Sequence, residues 1–329
     1  MKLEFSIYPL VSIVIPVYNI ELWIERAINS VISQCYNNIE LIVVDDCSED
    51  NSILIIRELL VDVNFSVKYI NHTQNRGLSA ARNSGIDTAT GDYILFLDGD
   101  DALADNAIDS FISSVRVEDE YDYIIGNYKV LYSDDSNYIS KRYDKRVEYC
   151  GNDEIIRAFV EEWIPIMAWN KLVKRDFILS NNLYFKEGIL HEDELWSFTM
   201  ILNSKKVLML GDTTYSYFVR EGSIMTSPEK TIKKVESMSE IFKSMVSYSS
   251  NLSNSILFSQ YLERFAFKCY IESGNLKSRR GEFYKDIRNT HLKLRDSVGL
   301  RHLLLKAHCY LPIPLGYLYC RIICKLYQL

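Results

Sequence analysis

The chain has 329 residues, of which 48% are hydrophobic and 25% charged. That length supports one large or two smaller globular domains with a substantial core. A net charge of -7 sets aside a general nucleic-acid binder, which needs a basic face.

The elements follow in chain order. Val11–Val17 is an unbroken apolar run that ends in Pro16-Val17-Tyr18-Asn19, and it reads as a buried strand. Residues 21–34 carry Leu22, Ile24, Ala27, Ile28, Val31 and Ile32 at helical spacing. Residues 39–44 form a second buried strand that stops at Asp45-Asp46. Residues 50–61 are helical, with Asp50 or Asn51 suited to the cap. Residues 67–70 make a short third strand, residues 78–89 a helix closed by Thr90-Gly91, and residues 93–97 a fourth strand. Strands separated by helices of this length predict a parallel sheet with right-handed crossovers.

Beyond residue 104 the pattern changes. Helices are expected over residues 104–115, 154–162, 174–179 and 192–202, with strands over residues 123–131, 207–210 and 214–219. Residues 133–140 are polar and predict a hairpin or mobile loop. From about residue 229 the pattern is almost all helical. The division expected is residues 1–222, with halves 1–105 and 106–222, followed by a helical region 223–329.

The seven cysteines contain no Cys-x-x-Cys pair. They read as free thiols of a reducing compartment, not a disulfide frame or a zinc site. The first ten residues lack the features of a signal peptide, and no apolar run is long enough to span a bilayer. The last thirty residues mix Leu, Ile, Tyr and Cys with Arg301, Lys306, Arg321 and Lys325, broken at Pro312 and Pro314. Two readings stay open there: a packed helix pair, or a peripheral contact with an anionic membrane surface.

Three polar clusters follow three successive strand ends: Pro16-Val17-Tyr18-Asn19, Asp45-Asp46-Cys47-Ser48-Glu49-Asp50 and Asp98-Gly99-Asp100-Asp101. In a parallel sheet such ends share one edge, where ligands bind. Each cluster alone reads as a cap or turn, but three together point to a cleft. Crowded carboxylates need a positive partner, and a divalent metal holding a diphosphate supplies one. Arg76 and Arg82, in Asn75-Arg76-Gly77-Leu78-Ser79-Ala80-Ala81-Arg82-Asn83, are candidates to counter phosphate or to fix the acids. Neither a dinucleotide fingerprint nor a P-loop follows the first strand.

These motifs, with Ser12-Ile13-Val14-Ile15 before the first and Phe96-Leu97 before the last, resemble the family-2 inverting glycosyltransferases of GT-A fold. The likeness covers roughly the first 105 residues. Trp169-Asn170-Lys171-Leu172, His191-Glu192-Asp193-Glu194 and Tyr217-Phe218-Val219-Arg220-Glu221-Gly222 are similar to the acceptor half of bacterial members. The resemblance implies an α/β GT-A fold: a Rossmann-like, mostly parallel sheet with helices on both faces, followed by a helical region. It places Pro16, Tyr18 and Asn19 at the nucleotide, Asp46 at the base with Asp45 close by, and Arg82 near the nucleotide. Asp98-Gly99-Asp100 corresponds to the Asp-x-Asp motif, with Asp100 as metal ligand, Asp98 near the ribose and Asp101 a second candidate ligand. His191 is a further candidate for the metal or a phosphate, and Lys171 and Arg220 for diphosphate or acceptor.

The resemblance makes Asp193 the general base, supported by Glu192, and the metal Mn2+ or Mg2+. A carboxylate suits the role, because a sugar hydroxyl must lose its proton as the new bond forms. The expected partners are a nucleotide-sugar, a UDP-sugar first, and a glycan or lipid-linked acceptor in bacterial surface polysaccharide synthesis, in the cytoplasm or at the inner membrane face. Processive synthases carry Gln-x-x-Arg-Trp and membrane helices; both are missing here, which favours single addition. Trp163, Trp169 and Trp196 are each either core or part of a sugar-stacking wall. Two alternatives remain at this point: a sugar-1-phosphate nucleotidyltransferase, and a binding protein without turnover.

Overall fold

A computed structural model describes residues 8–115, 120–132, 136–140, 143–219, 231–249, 255–274, 280–292, 307–312, 315–316, 318–320 and 322–323. The chain divides into two compact units. The first comprises Met1–Ile155, Ile166–Gly188 and Thr199–Glu221; the second comprises Ile156–Pro165, Ile189–Phe198 and Gly222–Leu329.

The first unit is built on one sheet. Its opening half alternates β1 (Val11–Val17), α1 (Ile24–Ile32), β2 (Ile39–Asp45), α2 (Ser52–Leu59), β3 (Ser66–Asn71), α3 (Leu78–Thr88) and β4 (Tyr93–Phe96). β1 lies between β2 and β4, β3 lies outside β2, and all three pairings are parallel. Strand alternation splits the side chains of β1 between two layers. Val11, Ile13, Ile15 and Val17 join Ile24, Ala27, Ile28 and Val31 of α1 and Ile56 of α2 in the main core. Val14 faces the other way, onto α3, where a Cβ at Gly85 would fall 2.2 Å from the Val14 Cγ1. Helices therefore cover both faces, as expected.

The second half is mixed. β5 (Ala102–Leu103), α4 (Ala107–Ser114), β6 (Tyr123–Leu131), β7 (Asn137–Ser140), β8 (Val147–Cys150), β9 (Lys171–Lys174), α6 (Arg175–Ser180) and β10 (Lys206–Phe218) complete the unit, with the start of α5 (Asn152–Val160) and the end of α7 (Glu192–Asn203). The order across the sheet is β3-β2-β1-β4-β9-β6-β10-β5. β9 is antiparallel to both β4 and β6, while β10 runs parallel to β6. The two short strands expected over 207–210 and 214–219 are one strand, β10, whose register against β6 shifts between Met209 and Tyr215. Gly211 and Asp212 break the apolar pattern there without ending the strand. β5, β8 and β9 were not foreseen. Each is four residues or fewer, too short to show a period. β7 pairs with β6, as a hairpin would, although residues 133–135 of the expected loop lie outside the described residues.

One buried acid ties the parallel half together. Glu40, on β2, accepts from the Ser12 hydroxyl of β1 at 2.6 Å. It also accepts from the amide and hydroxyl of Thr90 at 2.6 and 2.9 Å, and pairs with Lys68 of β3 at 2.6 Å. The Thr90-Gly91 turn packs so tightly that a Cβ at Gly91 would sit 2.6 Å from the carbonyl oxygen of Leu10. Burial pushes the Glu40 carboxyl up, but Lys68, Ser12 and Thr90 outweigh it and hold the group at about 2.

The second unit is helical in the described residues after 230. α8 (Thr231–Ser249), α9 (Ser255–Gly274) and α10 (Arg280–His291) pack on one another and precede a 3-10 turn, His308–Tyr310. α9 buries Phe258, Tyr261, Leu262, Phe265, Ala266, Phe267, Cys269 and Tyr270, which lie on most of its circumference, as a central helix must. No described helix is long and apolar enough to cross a membrane. The basic residues of the tail, Arg301, Lys306, Arg321 and Lys325, with Pro314 and Cys324, lie outside the described residues.

Replacing Glu40 by Ala strands at least two buried donors and is expected to cost about 2–4 kcal/mol in urea unfolding. Because the folded carboxyl lies below its unfolded value, this contribution is complete above the ordinary carboxylate range. It fades as pH falls toward about 2. The gap between wild type and Glu40→Ala should therefore narrow on acidification.

Candidate active site

The site grows from the point where β1 and β4 part. Their ladder ends at Val14 opposite Phe96, with a last bond from the Leu97 amide to the Val14 carbonyl at 3.0 Å. In a parallel strand alternate residues turn their polar groups to the same side. The amide position of Pro16 therefore faces the side that β4 has just left, where a missing N–H costs no ladder bond. The chain then bends back toward β1. A Cβ at Gly99 would lie 2.3 Å from the Ile20 Cδ1 and 3.3 Å from the Pro16 carbonyl oxygen. The central residue of the Asp-Gly-Asp turn therefore has to be small.

The three acids of this turn have different surroundings. Asp101 is 1% exposed. Its Oδ2 accepts from the Tyr215 hydroxyl at 2.8 Å and its Oδ1 from the Phe218 amide at 2.9 Å, both in β10. Burial, then the charges of Asp98 and Asp100, raise its carboxyl well above the usual range. Asp98 and Asp100 are half-buried. Asp98 Oδ1 accepts from Arg82 Nη2 at 2.8 Å, and the Asp98 amide donates to the Tyr215 oxygen at 3.3 Å. Arg82 is buried beneath, with its guanidinium 5.2 Å from the Phe185 ring. Arg26 of α1 lies over the Phe218 ring, 3.5 Å from its centroid, and donates to the Asp100 carbonyl.

The second cluster stands beside β1. Asp46 is 3% exposed and is occupied by its own fold. Its Oδ1 meets His72 Nδ1 at 2.7 Å and accepts from the Arg76 amide at 2.9 Å, while Oδ2 accepts from the Gly77 amide at 2.7 Å. Asp46 thus fastens the turn in which Gly77, at φ +89°, starts α3. Asp45 is half-buried and accepts from the Ser48 amide at 2.8 Å. Asn19 Oδ1 accepts from the Glu49 amide at 2.9 Å, joining the first two clusters, and Tyr18 is 46% exposed beside it. The Arg76 side chain reaches the surface and pairs with Glu187 at 3.2 Å. Asn83 exchanges two bonds with the backbone of Phe185, at 2.8 and 2.9 Å, clasping that segment to α3.

Lys171 and Trp169 have close partners of their own. Lys171 lies in β9, 1% exposed, with its ammonium on the Met167 carbonyl. Trp169 stacks on Tyr215 at 4.4 Å and on Tyr217 at 5.6 Å, backing the Asp101 anchor. Arg220 lies outside the described residues.

His191, Glu192 and Asp193 belong to the second unit. His191, at φ +61°, precedes α7, and Glu192, Asp193 and Glu194 form its first turn, where the helix dipole favours acids. Glu194 is buried, accepts from the Tyr261 hydroxyl at 2.9 Å and pairs with Lys268. Asp193 is half-buried and its Oδ1 accepts from the Glu194 amide at 3.0 Å; Glu192 is 8% exposed. Burial, then Lys268 and Lys234, lower the His191 imidazole, which favours its neutral form. Trp196 is core at 1% exposure, whereas Trp163 is 47% exposed.

Sequence reasoning missed Arg26, His72 and Tyr215, which support the acids from neighbouring elements. Arg26 is the one basic residue in α1, and that was its only signal.

Replacing Tyr215 by Phe removes the hydroxyl shared by Asp101 and the Asp98 amide. A loss of about 1–3 kcal/mol in unfolding free energy is expected, with the far-ultraviolet circular dichroism spectrum unchanged.

Known proteins resemble this chain in sequence and in fold. GlyG, a glycosyltransferase of Streptococcus pneumoniae serotype 4, is 31% identical over 72% of this chain and 80% of its own length. WfgD of Escherichia coli, a UDP-Glc:alpha-D-GlcNAc-diphosphoundecaprenol beta-1,3-glucosyltransferase, is 27% identical over 68% of this chain and 83% of its own. Among solved structures, S. aureus TarS 1–349 in complex with UDP-GlcNAc superposes with a TM-score of 0.76. It shows 21% identity over 97% of this chain and 91% of that one, a likeness of fold. Residues 12–179 match the family described as Glycosyl transferase family 2. With more than half of its length inside that match, the chain belongs to glycosyl transferase family 2 and is a glycosyltransferase of GT-A fold.

Proposed function

We propose that the chain moves one sugar from a nucleotide-diphospho-sugar, a UDP-sugar first, to a hydroxyl of a glycan or lipid-linked acceptor in bacterial surface polysaccharide synthesis. The observation that carries this is the division of labour at the end of β4. Asp101 is locked inward by Tyr215 and Phe218, which leaves Asp98 and Asp100 as the half-buried acids of the turn. Relatives support the donor and acceptor: TarS was solved with UDP-GlcNAc, and WfgD is named for a UDP-glucose donor and a diphosphoundecaprenol acceptor. Such an acceptor fits a cytoplasmic protein working at the inner membrane face, with the tail as its peripheral contact.

The residues at the β4 end fit a divalent cation. Asp98 and Asp100 offer hard oxygen ligands; burial first, and then their charges, raise the neighbouring Asp101 carboxyl, and a cation offsets that repulsion. Bound Mn2+ or Mg2+ would neutralise the leaving diphosphate. Asp100 is assigned as the principal ligand, with Asp98 beside it and the ribose. Arg82 fixes the Asp98 carboxylate from beneath. Base contact is assigned to Asp45 in place of Asp46, because both oxygens of Asp46 already serve the turn before α3. Pro16, Tyr18 and Asn19 complete the nucleotide side.

Asp193 is the proposed proton acceptor, with Glu192 in support, and attack opposite the diphosphate would invert the sugar. This assignment rests on the resemblance of His191-Glu192-Asp193-Glu194 to the acceptor half of the family. Membership of a glycosyltransferase family disfavours the nucleotidyltransferase alternative.

Nucleotide release from a panel of UDP-sugars, with Mn2+ and a lipid-diphosphate acceptor, tests the reading. Asp193→Asn should lower turnover about 10²–10⁴-fold while retaining UDP and Mn2+ binding in a thermal-shift assay. Asp100→Asn should lose the Mn2+-dependent part of that shift. Undiminished turnover in Asp193→Asn would remove the base from this position.

A further inference from the structure

β5, the short strand after the acidic turn, lies at the end of the sheet. It pairs with β10, and the Ala104 amide that follows it donates to the Thr214 carbonyl at 3.0 Å. α1 meets the same segment from another side with a row of polar side chains. Arg26 donates to the Asp100 carbonyl, and the Ser30 hydroxyl accepts from the Leu103 amide at 3.0 Å. Gln34, just past α1, donates to the Ala104 carbonyl at 2.9 Å and accepts from the Ile108 amide at 3.1 Å. Residues 26, 30 and 34 are four apart, so they share one face of the helix. Arg26 also reaches β10. Its guanidinium carbon lies 3.5 Å from the centroid of the Phe218 ring, while the Phe218 amide donates to Asp101 Oδ1 at 2.9 Å. Phe218 therefore grips the turn twice, through its amide at Asp101 and through its ring and Arg26 at Asp100. We propose that Arg26 is a positioning residue of the transfer reaction: clamped between the Phe218 ring and the Asp100 carbonyl, it fixes the main chain from which the Asp100 carboxylate reaches the metal.

The chemistry of the side chain suits this task. A guanidinium stacks on a ring with its face and donates with its edge at the same time. An ammonium is a compact point charge on a flexible stem and has no such fixed geometry. Charge is not the contribution, because a positive group beside a bound cation costs Coulomb energy. Attachment of the segment to α1 does not depend on Arg26 alone, since Ser30 and Gln34 already fasten Leu103, Ala104 and Ile108. What Arg26 adds falls at Asp100. It does for the Asp100 main chain what Arg82 does for the Asp98 carboxylate, and what Tyr215 and Phe218 do for Asp101. Groups that orient a metal ligand without touching the metal set its affinity nearly as strongly as the ligands do.

The role rests on the reading of Asp100 as a ligand of Mn2+ or Mg2+ proposed above. It extends that site from the edge of the sheet into the first helix of the donor half.

The test is Mn2+ binding to the full chain in the presence of UDP, read from the loss of the electron paramagnetic resonance signal of the free ion. Arg26→Lys keeps the charge and gives up the stacked, edge-on geometry. It should hold Mn2+ about 10-fold more weakly than wild type. Its sugar transfer should recover as Mn2+ is raised, which a damaged fold would not allow. Phe218→Leu keeps the amide bond to Asp101 and removes the ring, and should weaken Mn2+ in the same direction. Arg57→Lys, which disturbs a cation–ring contact with Tyr69 at 5.1 Å on α2, should bind Mn2+ like wild type. Wild-type Mn2+ affinity in Arg26→Lys, or an equal loss in Arg57→Lys, would overturn the role and leave the metal reading standing. Wild-type protein that binds no Mn2+ would overturn the metal reading and the role with it. If Arg26→Lys does not fold, Phe218→Leu decides in its place.

Discussion

The carboxylate of Asp101 sits inside the fold, and two groups of β10 hold it there: the Tyr215 hydroxyl at 2.8 Å and the Phe218 amide at 2.9 Å. A carboxylate is costly to bury unless it is hydrogen-bonded, so the turn after β4 can form only against a finished β10. That strand lies more than a hundred residues later and meets β5 and β6 on its way. The Asp101 side chain thus adds a buried tie between the nucleotide half and the half that follows it, beside the pairing of β4 with β9. Trp169, stacked on Tyr215 and Tyr217, stiffens the joint.

The other acids show the same economy. Asp46 and Glu40, both nearly fully buried, are saturated by local donors and act as fasteners. Asp45, Asp98 and Asp100 keep more exposure at the ends of their strands. A row of carboxylates that looks uniform in the sequence is therefore two populations. One is sunk into the protein and positions turns; the other is left at the edge, where charge can be met from outside.

The parallel half of the fold was legible because its elements obey simple periods. β1, β2 and β4 are mostly apolar, buried runs, and the helix of residues 24–32 shows its buried stripe directly. β6 falls on residues 123–131, as its pattern indicates. What followed was harder for physical reasons. β9 has four residues and takes its place only because β4 and β6 offer edges on either side. β10 looked like two strands because its register slips around Asp212. At the site, the acid clusters were visible but their division was not, since burial depends on partners distant in sequence, such as Tyr215 for Asp101.

Pro16 gives the cleft a permanence that hydrogen bonding alone would not. Where two parallel strands separate, the natural tendency is to zip a little further, and sheets often breathe at such forks. At the next rung β1 has no N–H to donate, and only the Pro16 carbonyl faces the returning chain. Gly99, pressed to 2.3 Å of the Ile20 position by any added Cβ, confirms that the returning chain crosses there instead of pairing. The ladder between β1 and β4 therefore stops where β1 loses its donor. A group that approaches Pro16 from that side meets a carbonyl and no backbone donor.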